Sequence, residues 1–534
     1  MKLRYDTNKE RLIVTKASTL EYNQMKIWLN RFVKGYKFMP AFKRGVWSGK
    51  INHFHDGQIN IGLWKECFKA MMEIEHKLEL ENKEDFPLNR DVTLEKVEDF
   101  CKEFFKDHKI KKDDGEIIDF MPYDYQIETA YKILKNRYCL GEVATSGGKS
   151  LILSIVFFYT LKHTDEDAKF LLIVPSINLV SQFYDNLIEY NLGFQKVDEE
   201  PQNSNPIDIR IQEIMSDKPR KYSGQGDPNI YIACYQSLAK KENWEDEFFQ
   251  QFHTVAVDES HKAKSKSLID ILERTFGSAY SRFGVSGTFP DEMSAEILTI
   301  QSLLGPIVNS IKAKRLQKEG RISNVKIKQI LLNHDDPVFN QNLRDIRKMP
   351  NQGARAYQLE SEYIRNSEKR LDFILKLVRK CEYNTLVLFN IIEYGEKLRD
   401  NLKEFLEGEN IEILYIDGSV KKKDRQEILA KMEIDDDNIT RILVATYGTL
   451  STGVSVNNLH NVIFAESFKS EQRIIQSIGR GLRKHDSKDK ARVFDIIDCY
   501  VEEKQRNSFF RHGKERASMY RKHGYPYDLL KFVL

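Results

Sequence analysis

Proline and glycine are scarce in this 534-residue chain, at 13 and 27 residues, which excludes collagen-like and Gly/Pro-rich low-complexity proteins. Cysteine is scarcer. The six cysteines, at 67, 101, 139, 234, 381 and 499, form no CxxC pair. That argues against a zinc knuckle or a disulfide framework and suits a reducing compartment. No excess of one charge exists either: 83 basic against 80 acidic residues give +3. A histone-like polycation is excluded, so any nucleic-acid binding must come from local patches. Long apolar runs are also missing. The most apolar stretch, Leu151–Leu161, lies between Lys149 and Lys162 and falls short of the ~20 residues that span a bilayer. The opening MKLRYDTNKERLIV alternates charged and apolar residues, so no export signal is read there. The expectation is a cytoplasmic protein with no membrane partner.

What is present is ample core material, with 41% hydrophobic residues. Residues 1–115 read as a small α+β unit. Alternating segments around Leu3–Tyr5 and Leu12–Val14 flank a turn at Thr7-Asn8-Lys9. A helical pattern follows from Leu20 to Phe32, then a second hairpin over Ile51–Ile61 with Asp56-Gly57 as its tight turn. Another helix is predicted from Leu63 to Leu80, and a charged segment carries a helix marked by Val97, Phe100 and Phe104. From Tyr123 the period changes. Apolar, β-branched runs at 170–174, 254–257, 282–285, 385–389, 411–415, 442–446, 461–464 and 493–497 alternate with helical stretches. Such runs fit parallel strands buried on both faces. They form two groups separated by the basic stretch Lys312–Ser323. The division read is 1–115, 116–318, 319–500 and a basic helical tail over 501–534, with 333–370 as a helical excursion. The fold class is α/β: two tandem parallel-sheet domains behind the small α+β unit.

Three segments carry chemistry. Ala144-Thr145-Ser146-Gly147-Gly148-Lys149-Ser150 lies between a strand-like run and an apolar helix. Triphosphates need inward backbone N–H groups before a helix N-terminus, a lysine on the β/γ-phosphates and a hydroxyl on Mg²⁺; Lys149 and Ser150 fill the last two roles. The alternative is a glycine turn with a solvated lysine. Thr254–Val257 runs into Asp258-Glu259-Ser260-His261. At the carboxyl edge of a parallel sheet, Asp258 would hold Mg²⁺ and Glu259 would activate the attacking water. A solvated acidic turn is the alternative. Gln476-Ser477-Ile478-Gly479-Arg480-Gly481-Leu482-Arg483 places two arginines three apart, on one side of a helix, where they could neutralise a γ-phosphate in the transition state. A solvated basic turn is again the alternative. The conjunction, in this order, favours an ATP-hydrolysing site.

With these residues in place, the chain resembles a superfamily 2 helicase of the DExH type over about residues 120–500. Tyr125-Gln126 resembles the upstream adenine-reading motif, Ala144–Ser150 motif I, Val174-Pro175-Ser176 through Gln182 motif Ia and Ala233–Ser237 motif Ib. Asp258–His261 resembles the DExH box, Ser286-Gly287-Thr288 motif III, Thr446 through Gly453-Val454-Ser455 motif V, and Gln476–Arg483 motif VI. Val143 stands where Walker loops usually carry glycine. The resemblance implies RecA-like domains, with ATP and Mg²⁺ as cofactors. It also implies nucleotide contacts from Gln126, Ala144 through Ser150, Gly453, Arg480 and Arg483, and catalysis by Lys149, Asp258, Glu259, Gln476, Arg480 and Arg483. Ser286 and Thr288 would couple hydrolysis to strand movement. Ser455 replaces an aspartate common in relatives, so no ribose role is carried over. The stretches Gly35–Phe38, Trp47–Lys50 and Leu482–His485 are similar to a phage recombination and repair subgroup. That implies a DNA helicase for branched substrates (forks, Holliday junctions, R-loops with their RNA–DNA hybrid), acting in the host cytoplasm.

Residues 31–50 contain Arg31, Lys34, Lys37, Lys43, Arg44 and Lys50 and no acid, interleaved with Phe32, Tyr36, Phe38, Phe42 and Trp47. The basic residues Lys34, Lys37, Lys43, Arg44 and Lys50 read as DNA contacts and the aromatics as core of the small domain. In the motor, Pro175, Ser176, Tyr235, Gln236, Ser237, Thr446 and Ser451 would line the strand path, touching phosphate and sugar with little base preference. Rival readings are an RNA-directed helicase, a duplex translocase that does not separate strands, and an ATP-gated nucleic-acid clamp. A small-molecule kinase would leave the second α/β domain without a purpose.

Overall fold

The computed structural model describes the chain except residues 87–90, 112–115, 164–167, 195–201, 216–225, 241–243, 350–351, 435–438, 451–457, 468–473, 476, 480–489 and 501–506. It divides into two compact units, Met1–Ala144 with Gly148–Ile311, and Thr145–Gly147 with Lys312–Leu534.

In the first unit, β1 (Lys2–Asp6) and β2 (Arg11–Lys16) form the expected antiparallel hairpin. The helix Thr19–Leu29 begins in a capping box between Ser18 and Glu21. It stops short of Phe32 because Asn30 turns extended and its Oδ1 accepts from the amides of His53 (2.9 Å) and Phe54 (3.1 Å). Asn30–Phe32 becomes β3 instead and pairs with β4 (Lys50–Asn52). The second expected hairpin is corrected in its pairing. Asp56 and Gly57 make the turn, with φ of 49° and 73°, but β5 (Gln58–Asn60) pairs with β2 rather than β4. A tight turn sets direction and not partner: the open edge of β2 takes β5 and buries Ile59 opposite Leu12. The helix expected from Leu63 to Leu80 ends at Met72. Glu79–Leu80 is β6, parallel to β1, where the Glu79 amide donates to the Met1 carbonyl at 3.0 Å and the Glu81 amide to the Leu3 carbonyl at 2.9 Å. The sheet order is β5-β2-β1-β6. Beyond it, the helix Leu94–Phe104 buries Val97, Phe100 and Phe104 as expected, and β7 (Lys109–Lys111) pairs with β8 (Ile117–Asp119).

The same unit holds a seven-stranded parallel sheet. Its strands are β9 (Tyr138–Val143), β10 (Phe170–Val174), β11 (Ile211–Ile214), β12 (Ile230–Cys234), β13 (Thr254–Asp258), β14 (Ser281–Ser286) and β15 (Ile307–Ile311). They run in the order β11-β12-β10-β13-β14-β9-β15. The small sheet is seated on this domain. Its core takes in Tyr138 and Leu298, and Gly62 sits so near the Gln301 carbonyl that a Cβ there would collide with it. Arg282, fully buried, pairs with Glu10 and donates to the Leu303 carbonyl at 3.2 Å. Breaking a buried pair from one side typically costs about 3–5 kcal/mol, because the other charge stays behind unpaired. Glu10→Ala is therefore expected to lower the melting temperature by several degrees, while Lys2→Ala, on an exposed pair, leaves it unchanged.

The second unit contains another all-parallel sheet: β16 (Asn324–Asn333), β17 (Thr385–Phe389), β18 (Ile411–Ile416), β19 (Thr440–Thr446), β20 (Asn461–Phe464), β21 (Lys490–Cys499) and β22 (Tyr527–Val533). The order is β18-β19-β17-β20-β21-β16-β22. The excursion after β16 is two helices, Pro337–Lys348 and Gly353–Asn366. The tail forms the helix Ser508–His523 and then, unlike the all-helical expectation, the strand β22 on β16. Two buried aspartates of β21 anchor this unit. Asp498 takes Arg370 Nε at 2.8 Å, and Asp495 takes Arg516 Nη2 at 2.7 Å. Among the described residues, no helix is long and apolar enough to cross a membrane.

Candidate nucleotide site and strand-facing surface

The phosphate-loop candidate starts where β9 ends at buried Val143 and stops where the helix Lys149–His163 begins. Ser146 and Gly148 both have positive φ, 66° and 74°, the kind of backbone that turns successive N–H groups to one side as an anion cradle. Lys149 and Ser150 occupy the first helical turn, and the Ser150 Oγ lies 3.5 Å from the Tyr190 hydroxyl. Gln126 Oε1 accepts from the Tyr123 amide at 2.8 Å and starts the helix Asp124–Lys135. Its Nε2 lies against Gly148, where any Cβ would strike it. Glycine at 148 suits the positive φ, and a side chain there would have to displace the Gln126 amide. The expected adenine reader and phosphate loop are direct neighbours.

β13 delivers Asp258 and Glu259 to the carboxyl edge of the sheet. Asp258 is 6% exposed, and its Oδ1 has no hydrogen-bond partner among the described residues. Burial, and then the charge of Glu259, push its carboxyl above the usual range, while Lys149 acts against them. For Glu259 burial pushes the same way, but Lys149 and His261 outweigh it and hold the carboxyl low. The field of Lys149 thus reaches both carboxylates, which lie more than a hundred positions away from it in the sequence. An orphaned, buried carboxylate oxygen beside a second carboxylate suits a divalent cation, whose charge would offset what burial removes. Glu259 itself is left-handed, at φ 50°, an uncommon conformation for this residue type.

The DExH histidine extends the network. His261 Nδ1 lies 2.8 Å from Ser286 Oγ and 3.1 Å from Glu259 Oε2. Ser286 Oγ in turn donates to the Thr288 carbonyl at 2.9 Å. Both expected coupling residues are buried, and His261 joins them to the carboxylate.

Of the residues expected along the strand path, Pro175 and Ser176 follow β10, and Tyr235 and Gln236 follow β12. Ser176 Oγ is buried with no hydrogen-bond partner among the described residues. Gln236 is exposed and donates to the Pro175 carbonyl at 3.3 Å. Ser237 corrects the expectation: it is buried, and its carbonyl takes Trp244 Nε1 at 2.9 Å, so packing explains it. In the second unit, Thr446 lines a cavity of about 520 Å³ with Asn390, Gly418, Arg425 and Tyr447. The last four were missed, because no residue pattern links the ends of β17, β18 and β19 before they are paired. Ser451, Gly453, Gln476, Arg480 and Arg483 lie outside the described residues.

Residues 32–50 form a protruding basic and aromatic knob. Lys34, Lys37, Lys43 and Arg44 are exposed, and half-buried Lys50 places Nζ 4.7 Å from the Phe32 ring centre. The aromatics are not the core residues expected. Phe38 is 80% exposed and Phe32 48%. The one-turn helices Tyr36–Phe38 and Pro40–Lys43 bury little, so the rings pack on one another, Tyr36 stacking on Phe32 at 4.4 Å.

Three family models match the chain: DEAD/DEAH box helicase over residues 123–296, helicase conserved C-terminal domain over 369–485, and DNA helicase UvsW, N-terminal, over 12–81. The chain is an ATP-dependent helicase of superfamily 2, with tandem RecA-like domains behind a small α+β domain. It is 28% identical over 523 residues, 93% of each chain, to "ATP-dependent DNA helicase uvsW" of Enterobacteria phage T4. The crystal structure of T4 UvsW aligns with all of this chain and 99% of its own, at TM-score 0.47 and 24% identity. The Type ISP restriction-modification enzyme LlaBIII bound to DNA shares the fold, at TM-score 0.56 and 13% identity, over 78% of this chain and 32% of that one.

Proposed function

We propose that this helicase works on DNA and remodels its branched forms (forks, Holliday junctions and R-loops) in phage recombination, repair and replication. The observation that carries the reading is the knob: exposed rings beside four exposed basic residues, seated on the first motor domain. Basic groups neutralise phosphates of any sequence, and exposed rings stack on unpaired bases at ~1–3 kcal/mol each. A branch point joins several duplex arms at one place, so a basic and aromatic surface appended to the motor can hold one arm while the motor tracks another. The relationship to uvsW supports DNA as the substrate.

At the nucleotide, Gln126 reads adenine, the loop Ala144–Gly148 cradles the phosphates and Lys149 neutralises them. Ser150 and Asp258 would hold Mg²⁺, which supplies positive charge to the β/γ-phosphates when bound. Glu259 orients and deprotonates the attacking water, and Gln476, Arg480 and Arg483, with Gly453, serve the nucleotide from the second domain's sequence motifs. Ser286 and Thr288 relay the state of Glu259 through His261. The strand runs past Ser176, Tyr235, Gln236, Thr446 and Ser451.

The test is ATP-dependent processing of a four-way junction and of a tailed linear duplex, with Lys149→Ala as blank. Junction processing well above the tailed duplex is the expected result. Equal rates would leave a general motor without branch selectivity. RNA in place of DNA as activator separates the RNA-directed alternative.

A further inference from the structure

The helix Ser508–His523 is fixed to the second unit by one face and leaves the other in water. Phe509, Gly513, Arg516 and Tyr520 are buried, at a spacing that puts them on one side of the helix. Gly513 lies so close to Ile497 that a Cβ there would strike it, and the Tyr520 hydroxyl donates to Asp495 at 2.9 Å. The opposite side carries Arg511, Lys514, Ser518, Arg521 and Lys522, all exposed, with exposed Glu515 on its flank. Bases near a helix C-terminus complement the helix dipole, which accounts for Arg521 and Lys522. It does not account for Arg511, at the end of a first turn that contains no acid, where a cation works against the dipole.

A second basic element joins this stripe. The Lys314 side chain lies against Gly524, the left-handed residue (φ 74°) that ends the helix. Lys314 belongs to the short helix Ala313–Lys318, where Lys312, Lys314, Arg315 and Lys318 are exposed. Each element thus shows four exposed bases against one exposed acid, Glu319 or Glu515, in a chain whose 83 bases and 80 acids nearly cancel. An ordinary solvated face would share that balance.

We propose that this surface binds the phosphate backbone of duplex DNA and holds one arm of a branched substrate. Single strands are held by cations together with exposed rings that stack on bases. The stripe offers no such ring: Phe510 is half-buried, with the Lys514 ammonium 5.4 Å from its centre. From Arg511 to Lys522 the helix advances about 16 Å, more than the ~12 Å width of the major groove, so its two ends can reach phosphates of both strands. The inference rests on the DNA reading above and gives the second unit an attachment point separate from the knob.

The experiment measures binding of the full chain, without nucleotide, to a blunt linear duplex, a four-way junction and oligo(dT) across a salt series. The triple variant Lys314→Gln, Lys514→Gln and Lys522→Gln is expected to bind duplex and junction about tenfold or more weakly at low salt. Its slope of log affinity against log salt should be shallower by about 2.7, since each lost phosphate contact removes about 0.9. Oligo(dT) affinity and DNA-free ATP turnover stay within about twofold. Glu515→Gln removes the acid on the flank and tightens duplex binding by about twofold, which a damaged fold would not do. Lys376→Gln with Lys380→Gln and Lys403→Gln, exposed lysines elsewhere in the same unit, is the control and leaves the slope unchanged. An unchanged slope in the stripe variant overturns the proposal. So does an equal loss toward oligo(dT), which marks a single-strand surface. The branch reading fails on a different result, a wild-type chain that processes junctions no faster than tailed duplexes, and the duplex slope still decides the stripe.

Discussion

Lys149→Ala is expected to reduce ATP turnover by at least about a thousandfold, some 4 kcal/mol of transition-state stabilisation. Two effects add. The variant removes the cation that meets the charge building on the transferred phosphoryl group. It also removes the positive field that acts on both Asp258 and Glu259. Without it, burial and the mutual repulsion of the carboxylates are opposed mainly by Lys262 and His261, so the pair holds its proton more tightly. Nucleotide affinity should fall together with kcat. A coupled phosphate-release assay and titration with a fluorescent ATP analogue measure the two. Turnover within about tenfold of wild type would remove the loop from the phosphate site.

Glu259→Gln should separate those two quantities. The substitution keeps shape and hydrogen-bonding reach but cannot take a proton from water, a loss typically of about a hundredfold to ten-thousandfold for a general base. ATP binding should remain, because Lys149, Gln126 and the loop are untouched. Single-turnover hydrolysis beside equilibrium binding gives the split. A fall in affinity matching the fall in rate would show Glu259 to be a binding group and would return the base role to another residue. The His261–Ser286 contact, 2.8 Å long, does not involve the substituted oxygen and is expected to persist.

Local order made some of this molecule legible from its sequence. β10, β17 and β20 coincide with apolar runs because strands buried on both faces need apolar side chains at every position. The phosphate loop and the two carboxylates were legible for the same reason: their chemistry is packed into a few consecutive residues. Of the strands that escaped notice, β16 carries a buried polar group. β16 reads NVKIKQILLN, and its Gln329 is buried because it donates to Asp495 at 2.9 Å. A polar residue satisfied by a partner 166 positions away looks, in one dimension, like a solvent-facing one. β11 is short and includes Gln212 and Glu213, and β22 is largely exposed. The same limit applies to the site. Gln126 against Gly148, His261 on Ser286 and Glu466 on the amides of Asn390 and Ile391 are tertiary facts with no spacing of their own. The knob failed in the other direction: aromatic residues suggest a core, but a core also needs elements long enough to enclose them.

The seating of the small sheet on the first motor domain has a practical consequence for anyone who wishes to dissect the enzyme. Residues 1–115 look like a detachable module, yet cutting them away would strip the cover from Tyr138 and Leu298 and leave the Arg282 guanidinium without its carboxylate. A shortened motor would therefore be sick for reasons unrelated to DNA, and its lost activity would be misread as lost recognition. The knob is better interrogated in place, by reversing charge at Lys34, Lys37, Lys43 and Arg44, where the side chains already face water and the scaffold beneath them is left intact.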